Sequence, residues 1–202
     1  MATLASHPQR NSIRLQLRQN LALQQLTAAQ WSDLEPLLTI ADYGKGDPLV
    51  RQGDEQMQQF FILDGMLKRV VSNPEGREMI LRFAAESDID TSYAAWRLKT
   101  PIPYSIHAVT RVRAAKLSME DWAEFMNQHA AVKNAFEFQV MKLMSEVMAH
   151  VITLHLLDAP GRVQRFMRKN TQLAERLPKK ELASYLNLSP ETLSRLKKRG
   201  KI

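Results

Sequence analysis

Residues 59–71 have the sequence QFFILDGMLKRVV, and this stretch decides the fold class of the chain. Two short runs rich in Phe, Ile, Leu and Val flank the pair Asp64-Gly65. Runs of this composition favour β-strands, and Asp-Gly between two such runs is typical of a tight hairpin turn. The segment therefore predicts two antiparallel strands that are joined at Asp64-Gly65.

The sequence on both sides continues this pattern of short strands and frequent turns. Residues 43–56 contain three glycines and a proline, and SNPEGRE at 72–78 is a further turn signal. Strand candidates follow in MILRFAA, YSIHAVT and RVRAAKL, at residues 79–85, 104–110 and 111–117. Strands this short predict an antiparallel sandwich or barrel, preceded by an N-terminal helix. We expect this first domain to span residues 1–118.

The second region, residues 119–158, has helical periodicity. Ser118 is a favourable helix N-cap, and a longer helix is predicted from Ala130 to Leu157. Apolar residues recur along it at alternating steps of four and three, which is the seam spacing of a coiled coil. We interpret it as a dimerisation helix, and a core helix packed on its own sheet is the alternative. The seam consists of Val140, Met144, Val147, Val151 and Leu154.

The third region, residues 159–202, is predicted to end in a helix-turn-helix. Pro160-Gly161 breaks the long helix, and another helix follows to about Leu177. Further on, Asn187 tolerates the left-handed backbone of a sharp turn. Ser189 is then an N-cap, and Pro190 suits the first helical position. The fold class predicted for the whole chain is therefore α+β.

The second helix of this pair, residues 190–199, has one face that suits a DNA major groove. Glu191, Ser194 and Arg195 align on that face, and we expect them to contact bases. A guanidinium can donate two bonds to guanine, and a carboxylate can accept from cytosine N4. An ordinary intrahelical pair between Glu191 and Arg195 is the alternative. The residues expected at DNA phosphates are Lys179, Lys180, Ser189, Thr192, Lys197, Lys198 and Arg199.

The distribution of charge favours a nucleic-acid partner. The net charge is +7, and from Arg162 onward there are twelve Lys or Arg against three acidic residues. Such an asymmetry indicates nucleic acid or a membrane surface as the partner, and a solvated helical face is the alternative. Double-stranded DNA is the partner that we expect, because of the helix-turn-helix. We expect a soluble, cytoplasmic protein with no membrane partner, because no apolar window approaches spanning length and the N-terminus has no signal-peptide pattern.

The residue types present limit the chemistry that the chain can perform. It has no cysteine, which excludes disulfides, thiolate catalysis and cysteine-bound metal or iron–sulfur sites. No nucleophile–base pair, paired carboxylates or metal-ligand spacing supports catalytic residues or a metal site, so an enzyme is not expected. Haem is not expected either, because His150 and His155 are five residues apart and do not share one helix face. The other candidates, His107 and His129, are isolated in the sequence.

The order of these parts resembles the family of the cyclic-AMP receptor protein and the fumarate–nitrate reduction regulator, the Crp/Fnr family. Residues 51–71 and NPEGREMILRFA at 73–84 are similar to its β-roll. LNLSPETLSRLKK at 186–198 is similar to its recognition helix, and the start of its DNA-binding domain is matched by Asp158, Gly161, Arg162 and Val163. The resemblance implies a cyclic nucleotide-binding-like β-roll (a double-stranded β-helix), a long dimerisation helix and a C-terminal helix-turn-helix. It also implies a homodimeric bacterial transcription regulator that reads bases with Glu191 and Arg195, with RNA polymerase as a partner.

Three departures from the family pattern modify this expectation. Pro190 stands where the family often has a base-reading arginine, and the family's β-hairpin wing is not expected after the recognition helix. The motifs that bind the ribose and cyclic phosphate are also missing, so we expect no conventional cyclic-AMP binding and no cofactor. The effector, if there is one, is expected near Thr91, Ser92, Tyr93, Arg97 and Tyr104. The alternative function is a sensor of haem or of an anionic ligand that binds DNA only weakly or without specificity.

Overall fold

The computed structural model describes residues 3–198, and eight of its strands form two four-stranded antiparallel sheets. These strands are β1 (Thr39–Tyr43), β2 (Pro48–Val50), β3 (Gln58–Asp64), β4 (Leu67–Ser72), β5 (Glu78–Ala84), β6 (Ile89–Thr91), β7 (Ser105–Ala108) and β8 (Val112–Ser118). One sheet has the order β1-β8-β3-β6 and the other β2-β7-β4-β5. Phe60, Leu67 and Ile106, which come from both sheets, are fully buried in one cluster. The predicted antiparallel sandwich is confirmed, and we call it the roll.

The predicted hairpin at Asp64-Gly65 is wrong, because the chain crosses from one sheet to the other there. β3 pairs with β6 and β8, whereas β4 pairs with β5 and β7. Gly65 has a φ of 88°, and a Cβ at this position would lie 2.0 Å from the carbonyl oxygen of Arg111. Gly65 is therefore required where two backbone segments pass close to each other. In the sequence, the Asp-Gly pair of such a crossing cannot be distinguished from that of a hairpin turn.

The second predicted turn does connect a hairpin. β4 and β5 pair from Leu67 opposite Ala84 to Ser72 opposite Glu78. The side chain of Asn73 accepts a hydrogen bond from the backbone N–H of Arg77 at 2.8 Å, which closes the turn. The turn expected at residues 72–78 is therefore present, and it closes a hairpin.

Nine α-helices are present within residues 3–198, together with one 3-10 turn at Leu4–Ser6. A cluster of large side chains on the outside of the roll joins several of them, and Trp122 lies 5.3 Å from Phe61 and 5.4 Å from Phe136 between ring centres. The helix between β6 and β7 was not expected from the sequence. The helices are α1 (Arg10–Leu17), α2 (Ala28–Leu34), α3 (Tyr93–Leu98), α4 (Met119–Gln128), α5 (Ala130–Leu156), α6 (Ala159–Lys169), α7 (Thr171–Arg176), α8 (Lys179–Tyr185) and α9 (Pro190–Lys198).

α5 has 27 residues, which is about 40 Å at 1.5 Å per residue, and it ends within one residue of the predicted position. Leu157 is extended, and the side chain of Asp158 then caps α6 by accepting from the Gly161 N–H at 2.9 Å. Pro160 lies in the first turn of α6, where a missing N–H costs nothing. Among the helices of residues 3–198, α5 included, none is long and apolar enough to cross a membrane.

The C-terminal helices share a buried core with the roll. Ile80 and Phe83 of β5 share a buried cluster with Val163, Phe166 and Leu182 of α6 and α8. Two ion pairs border this cluster, Lys68–Glu181 at 2.9 Å and Arg176–Glu86 at 2.7 Å. The expected domain boundaries at residues 118 and 158 coincide with the N-caps of α4 and α6, but the core is continuous across the second.

Candidate functional site

A tight turn joins α8 to α9, and local hydrogen bonds fix its shape. Asn187 has a φ of 53°, so it adopts the left-handed backbone for which its residue type is suited. The Leu188 N–H donates to the Ala183 carbonyl at 2.9 Å, and the Ser189 hydroxyl accepts from the Thr192 N–H at 3.1 Å. The end of α8 and the start of α9 are therefore both capped as the sequence predicts.

The inner side of the two helices is apolar and holds them at a fixed distance. Ala183 is fully buried, and Leu182, Leu186 and Leu193 are each at least nine-tenths buried. All four belong to the cluster that contains Val163 of α6. A small residue at position 183 allows α9 to approach α8 closely, so the outer face of α9 is held in one orientation.

The three residues that are expected to contact bases lie on the outer face of α9, but they differ in exposure and in hydrogen bonding. Glu191 and Arg195 are exposed, and no ion pair joins them in the described part of the chain. Arg195 only approaches the Thr192 hydroxyl, at 3.4 Å. The half-buried Ser194 hydroxyl donates to the Pro190 carbonyl at 2.7 Å, so its proton is already used within the helix.

The carboxylate of Glu191 is held in its ionised form. Its pKa lies below the ordinary value, chiefly because its own backbone N–H bonds to it, and also because of the Ser189 hydroxyl and the nearby charge of Lys179. Lys179 is the first residue of α8. An ionised carboxylate can only accept hydrogen bonds, which suits an amino group on a partner.

The residues expected at DNA phosphates surround this face. Lys179 and Lys180 are exposed at the start of α8, and Lys197 and Lys198 are exposed at the end of α9. The hydroxyls of Ser189 and Thr192 bond each other at 3.1 Å near the N-terminus of α9. Arg199 lies outside the described residues. The cationic side chains therefore flank the α9 face at both ends.

Arg162 is a positioning residue for which the sequence pattern indicated no role beyond a family resemblance. Its guanidinium donates to the Leu157 carbonyl at 3.0 Å and to the Leu186 carbonyl at 2.8 Å. These contacts connect the end of α5 to the turn between α8 and α9. The pattern Asp-x-x-Gly-Arg at 158–162 was the available signal, because a capped helix start followed by Arg places this side chain at a junction.

The expected seam of α5 lies beside a continuous apolar stripe that is exposed in the single chain. Val140, Val147, Val151 and Leu154 are half-buried, and Met144 is 48% exposed. Large apolar side chains next to the seam are also exposed. They are Met141 (63%), Met148 (65%) and Ile152 (48%).

The five residues expected in an effector pocket fall into two separate groups. Thr91, Ser92 and Tyr104 are buried inside the roll, where the Tyr104 hydroxyl donates to the Thr91 carbonyl at 2.5 Å. Tyr93 and Arg97 lie on α3 instead, and the Tyr93 hydroxyl accepts from Arg97 and donates to Glu137 of α5 at 2.8 Å. One group therefore belongs to the roll interior and the other links α3 to α5.

The roll interior also contains a charged network that the sequence analysis missed. Arg69 and Arg82 stand opposite each other on β4 and β5, and both bond the carboxylate of Asp90, which is 1% exposed. The Arg69 guanidinium also lies 4.0 Å from the centre of the Tyr104 ring. Two arginines within apolar strands were the only signal, and their partner is distant in the sequence.

Residues 40–129 match the family model described as a cyclic nucleotide-binding domain. This span runs from β1 to the end of α4, so it covers most of the roll but none of the C-terminal helices. The roll therefore has the fold of a cyclic nucleotide-binding domain.

Three comparisons extend the likeness to nearly the whole chain. It is 21% identical to the nitrogen fixation regulation protein FixK of Bradyrhizobium diazoefficiens, over 89% of this chain and 78% of the relative. The c-di-GMP-responsive global regulator CLP of Xanthomonas campestris superposes with a TM-score of 0.71 at 17% identity, over 86% and 92% of the two chains. A protein of Eubacterium rectale assigned to the Crp/Fnr family superposes with a TM-score of 0.68 at 18% identity, over 94% and 84%. The resemblance to Crp/Fnr transcription regulators is therefore confirmed.

Proposed function

We propose that the chain is a dimeric DNA-binding transcription regulator of the Crp/Fnr type, in which α8 and α9 form a helix-turn-helix. The observation that carries this proposal is the outer face of α9. Glu191 and Arg195 are exposed and not paired with each other, on a helix whose start is capped by Ser189 and whose inner side is anchored by Leu193. Such a face can enter a major groove without first breaking an internal contact.

The chemistry of this face divides into base contacts and phosphate contacts. Arg195 can donate two hydrogen bonds to guanine, and the ionised Glu191 can accept from cytosine N4. Ser194 can only accept a further bond while its proton stays on the Pro190 carbonyl. The lysines at both ends of the face are suited to phosphates, which raises affinity for any sequence.

Dimerisation is supported by the exposed stripe on α5. Met141, Met144, Met148 and Ile152 place large apolar side chains in solvent along one side of a helix about 40 Å long. A contiguous apolar patch of this kind marks an interaction surface. A second copy of α5 packed on it would give a two-fold dimer, and its two α9 helices would then contact a palindromic operator. RNA polymerase as a further partner, and the cytoplasm as location, rest on the family resemblance.

The test of the function is selection of duplexes from a random library with the full-length protein. We expect enrichment of a palindrome whose half-sites are about 10 base pairs apart, or a small multiple of that, because two symmetric helices must enter grooves on one side of the DNA. Enrichment of no sequence would contradict the proposal. Sedimentation equilibrium tests the dimer, with Met148→Glu expected to dissociate it and Lys142→Glu, on the same helix, expected to leave it intact.

The interior of the roll bears on the effector. A cyclic phosphate needs free cations, but the carboxylate of Asp90 already occupies Arg69 and Arg82. We therefore expect cyclic AMP to leave the melting temperature unchanged at concentrations well above those that saturate cyclic-AMP-binding domains. A saturable increase in melting temperature would contradict this expectation.

The second candidate function is a ligand sensor with weak or non-specific DNA binding. It is favoured by Pro190, which stands where the resemblance places a base-reading arginine, and by the internal hydrogen bond of Ser194. Under this function, selection would enrich no palindrome, and native mass spectrometry or an absorption scan of the purified protein would show a retained small molecule or haem.

A further inference from the structure

A cavity lies where the roll, α5 and the C-terminal helices meet. Its volume is about 320 Å³, which is within the range of small-molecule sites. Arg82 and Phe83 of β5 form one wall, and His150 and its neighbours on α5 form another. The remaining walls come from α6 and from Tyr185 at the end of α8. The cavity is separate from the roll interior in which Thr91 and Tyr104 are buried.

The walls of this cavity carry a strong excess of positive charge. Arg162, Arg165 and Lys169 lie on one face of α6, at spacings of three and four residues. Arg82 adds a fourth cation from β5, and Glu146 is the one acidic residue among the lining side chains of the described chain. Because Arg82 is already paired with Asp90, the excess comes from the three cations of α6, which outnumber Glu146 and make the cavity a favourable place for an anion.

Several of these groups have unused hydrogen-bonding capacity. The side chains of Arg165 and Lys169 form no hydrogen bond or ion pair within residues 3–198, in contrast to that of Arg162, which bonds two backbone carbonyls. The Nε of Arg82 is buried without a partner. Cationic donors that are preorganised on a helix face and lack partners are suited to a phosphate, which can accept several of them at once.

His150 supplies the second, independent indication of a ligand. Its side chain is more than nine-tenths buried at the cavity wall, with backbone groups of Ile80 and Tyr185 beside the ring, and its Nε2 atom makes no hydrogen bond of good geometry. The imidazole stacks on the ring of Tyr185 at 3.7 Å between centres, with the planes 4° apart. A buried polar atom without a partner is unfavourable, and a ligand atom bonded to Nε2 would remove that cost.

We propose that this cavity binds a small phosphate-bearing molecule, held by Arg165 and Lys169, with His150 as a further hydrogen-bonding group. The occupant contacts β5, α5, α6 and α8 together, so it stabilises the arrangement in which the C-terminal helices pack on the roll. The binding site stands independently of the proposed function.

Calorimetric titration of the full-length protein with inorganic pyrophosphate tests the site, with chloride added to keep the ionic strength constant. We expect saturable binding that Arg165→Gln weakens about tenfold, because it removes a bidentate donor. Arg168→Gln is the matched control, since Arg168 is an exposed arginine of the same helix that does not line the cavity. Absence of saturable binding, or equal weakening by the two variants, would overturn the proposal.

A readout on the wild-type protein keeps the test independent of variant folding. In histidine-labelled protein, pyrophosphate should shift the NMR signals of the His150 ring, while those of His107 and His155 stay in place. An unchanged His150 signal at saturating pyrophosphate would overturn the site even if DNA binding is fully established. Conversely, failure to select an operator would leave this result unaffected, so the two proposals can fail separately.

Discussion

The roll interior and the cavity beside α6 are both lined by arginines, but only in the roll interior does a carboxylate of the chain itself neutralise their charge. In the roll, Arg69 and Arg82 bond the buried carboxylate of Asp90. On α6, Arg165 and Lys169 face a cavity and have no partner within the described residues. Arg82 belongs to both places, since it pairs with Asp90 and also lines the cavity. The same fold therefore neutralises one pair of buried arginines with its own carboxylate and leaves the cations of α6 available to an anion from solution.

Removing the carboxylate of Asp90 should have the largest effect on the free energy of unfolding. Asp90→Ala leaves two arginines buried without their carboxylate, and we expect a loss of about 3–5 kcal/mol in the free energy of unfolding. Urea denaturation followed by circular dichroism measures it. Asp88→Ala is the control, because Asp88 is half exposed and 3.8 Å from Arg82, and it should cost less than about 1 kcal/mol. Equal losses in the two variants would show that the roll does not depend on an internal anion.

The buried imidazole beside the cavity should make stability depend on pH. Burial lowers the pKa of His150 from its ordinary 6.5 to about 4, so the unfolded chain takes up a proton before the folded one as the pH falls. Stability from this group is thus full above pH 6.5 and is lost between about pH 6.5 and 4, by on the order of 2–3 kcal/mol.

The measurement is the free energy of unfolding from pH 7 to pH 4 in wild type and in His150→Gln. The variant should lose less stability over this interval, whereas His155→Gln, an exposed residue of the same helix, should behave as wild type. Indistinguishable slopes for all three proteins would contradict the assignment of a neutral, buried His150.

On the outer surface, Arg195→Ala distinguishes recognition of bases from the sequence-independent attraction of a positive charge to phosphates. We expect it to weaken binding to the selected operator by about 1–3 kcal/mol and to relax base preference at one position. Lys198→Ala should weaken operator and random DNA alike and reduce the salt dependence of binding. Fluorescence anisotropy at several salt concentrations measures both. If Arg195→Ala weakens binding to every sequence equally, the face of α9 contributes charge alone.

The smallest effect is expected at the cap of α9. Ser189→Ala removes the acceptor of the Thr192 N–H and should cost about 1 kcal/mol of local stability. Amide hydrogen exchange should accelerate at Thr192, while Ser184→Ala, exposed on α8, should leave it unchanged. Unaltered exchange in Ser189→Ala would mean that packing of Leu193 alone holds the start of the helix.

Features governed by short-range contacts were predictable from the sequence. Ser118 and Ser189 cap helices by bonding an N–H three residues further on, and Asn187 adopts the backbone that its side chain tolerates. The long helix was located to within a residue, because its apolar spacing and the break at Pro160-Gly161 are local signals. The composition of the α9 face, and hence the expectation of DNA contacts, follows from the same helical periodicity.

What only the tertiary structure decided depends on residues that are distant in sequence. The Gly65 turn leads to the other sheet rather than to a hairpin, because its backbone crosses Arg111, 46 positions along the chain. The pairing of Arg69 with Asp90, the separation of Tyr93 from Tyr104, and the cavity between β5, α5 and α6 all arise where packed elements meet. Composition and periodicity determine which helices and strands form, and they indicate a basic DNA-binding end. Which charges are neutralised and which remain available is set by how those elements pack, because burial and long-range contact are properties of the assembled fold.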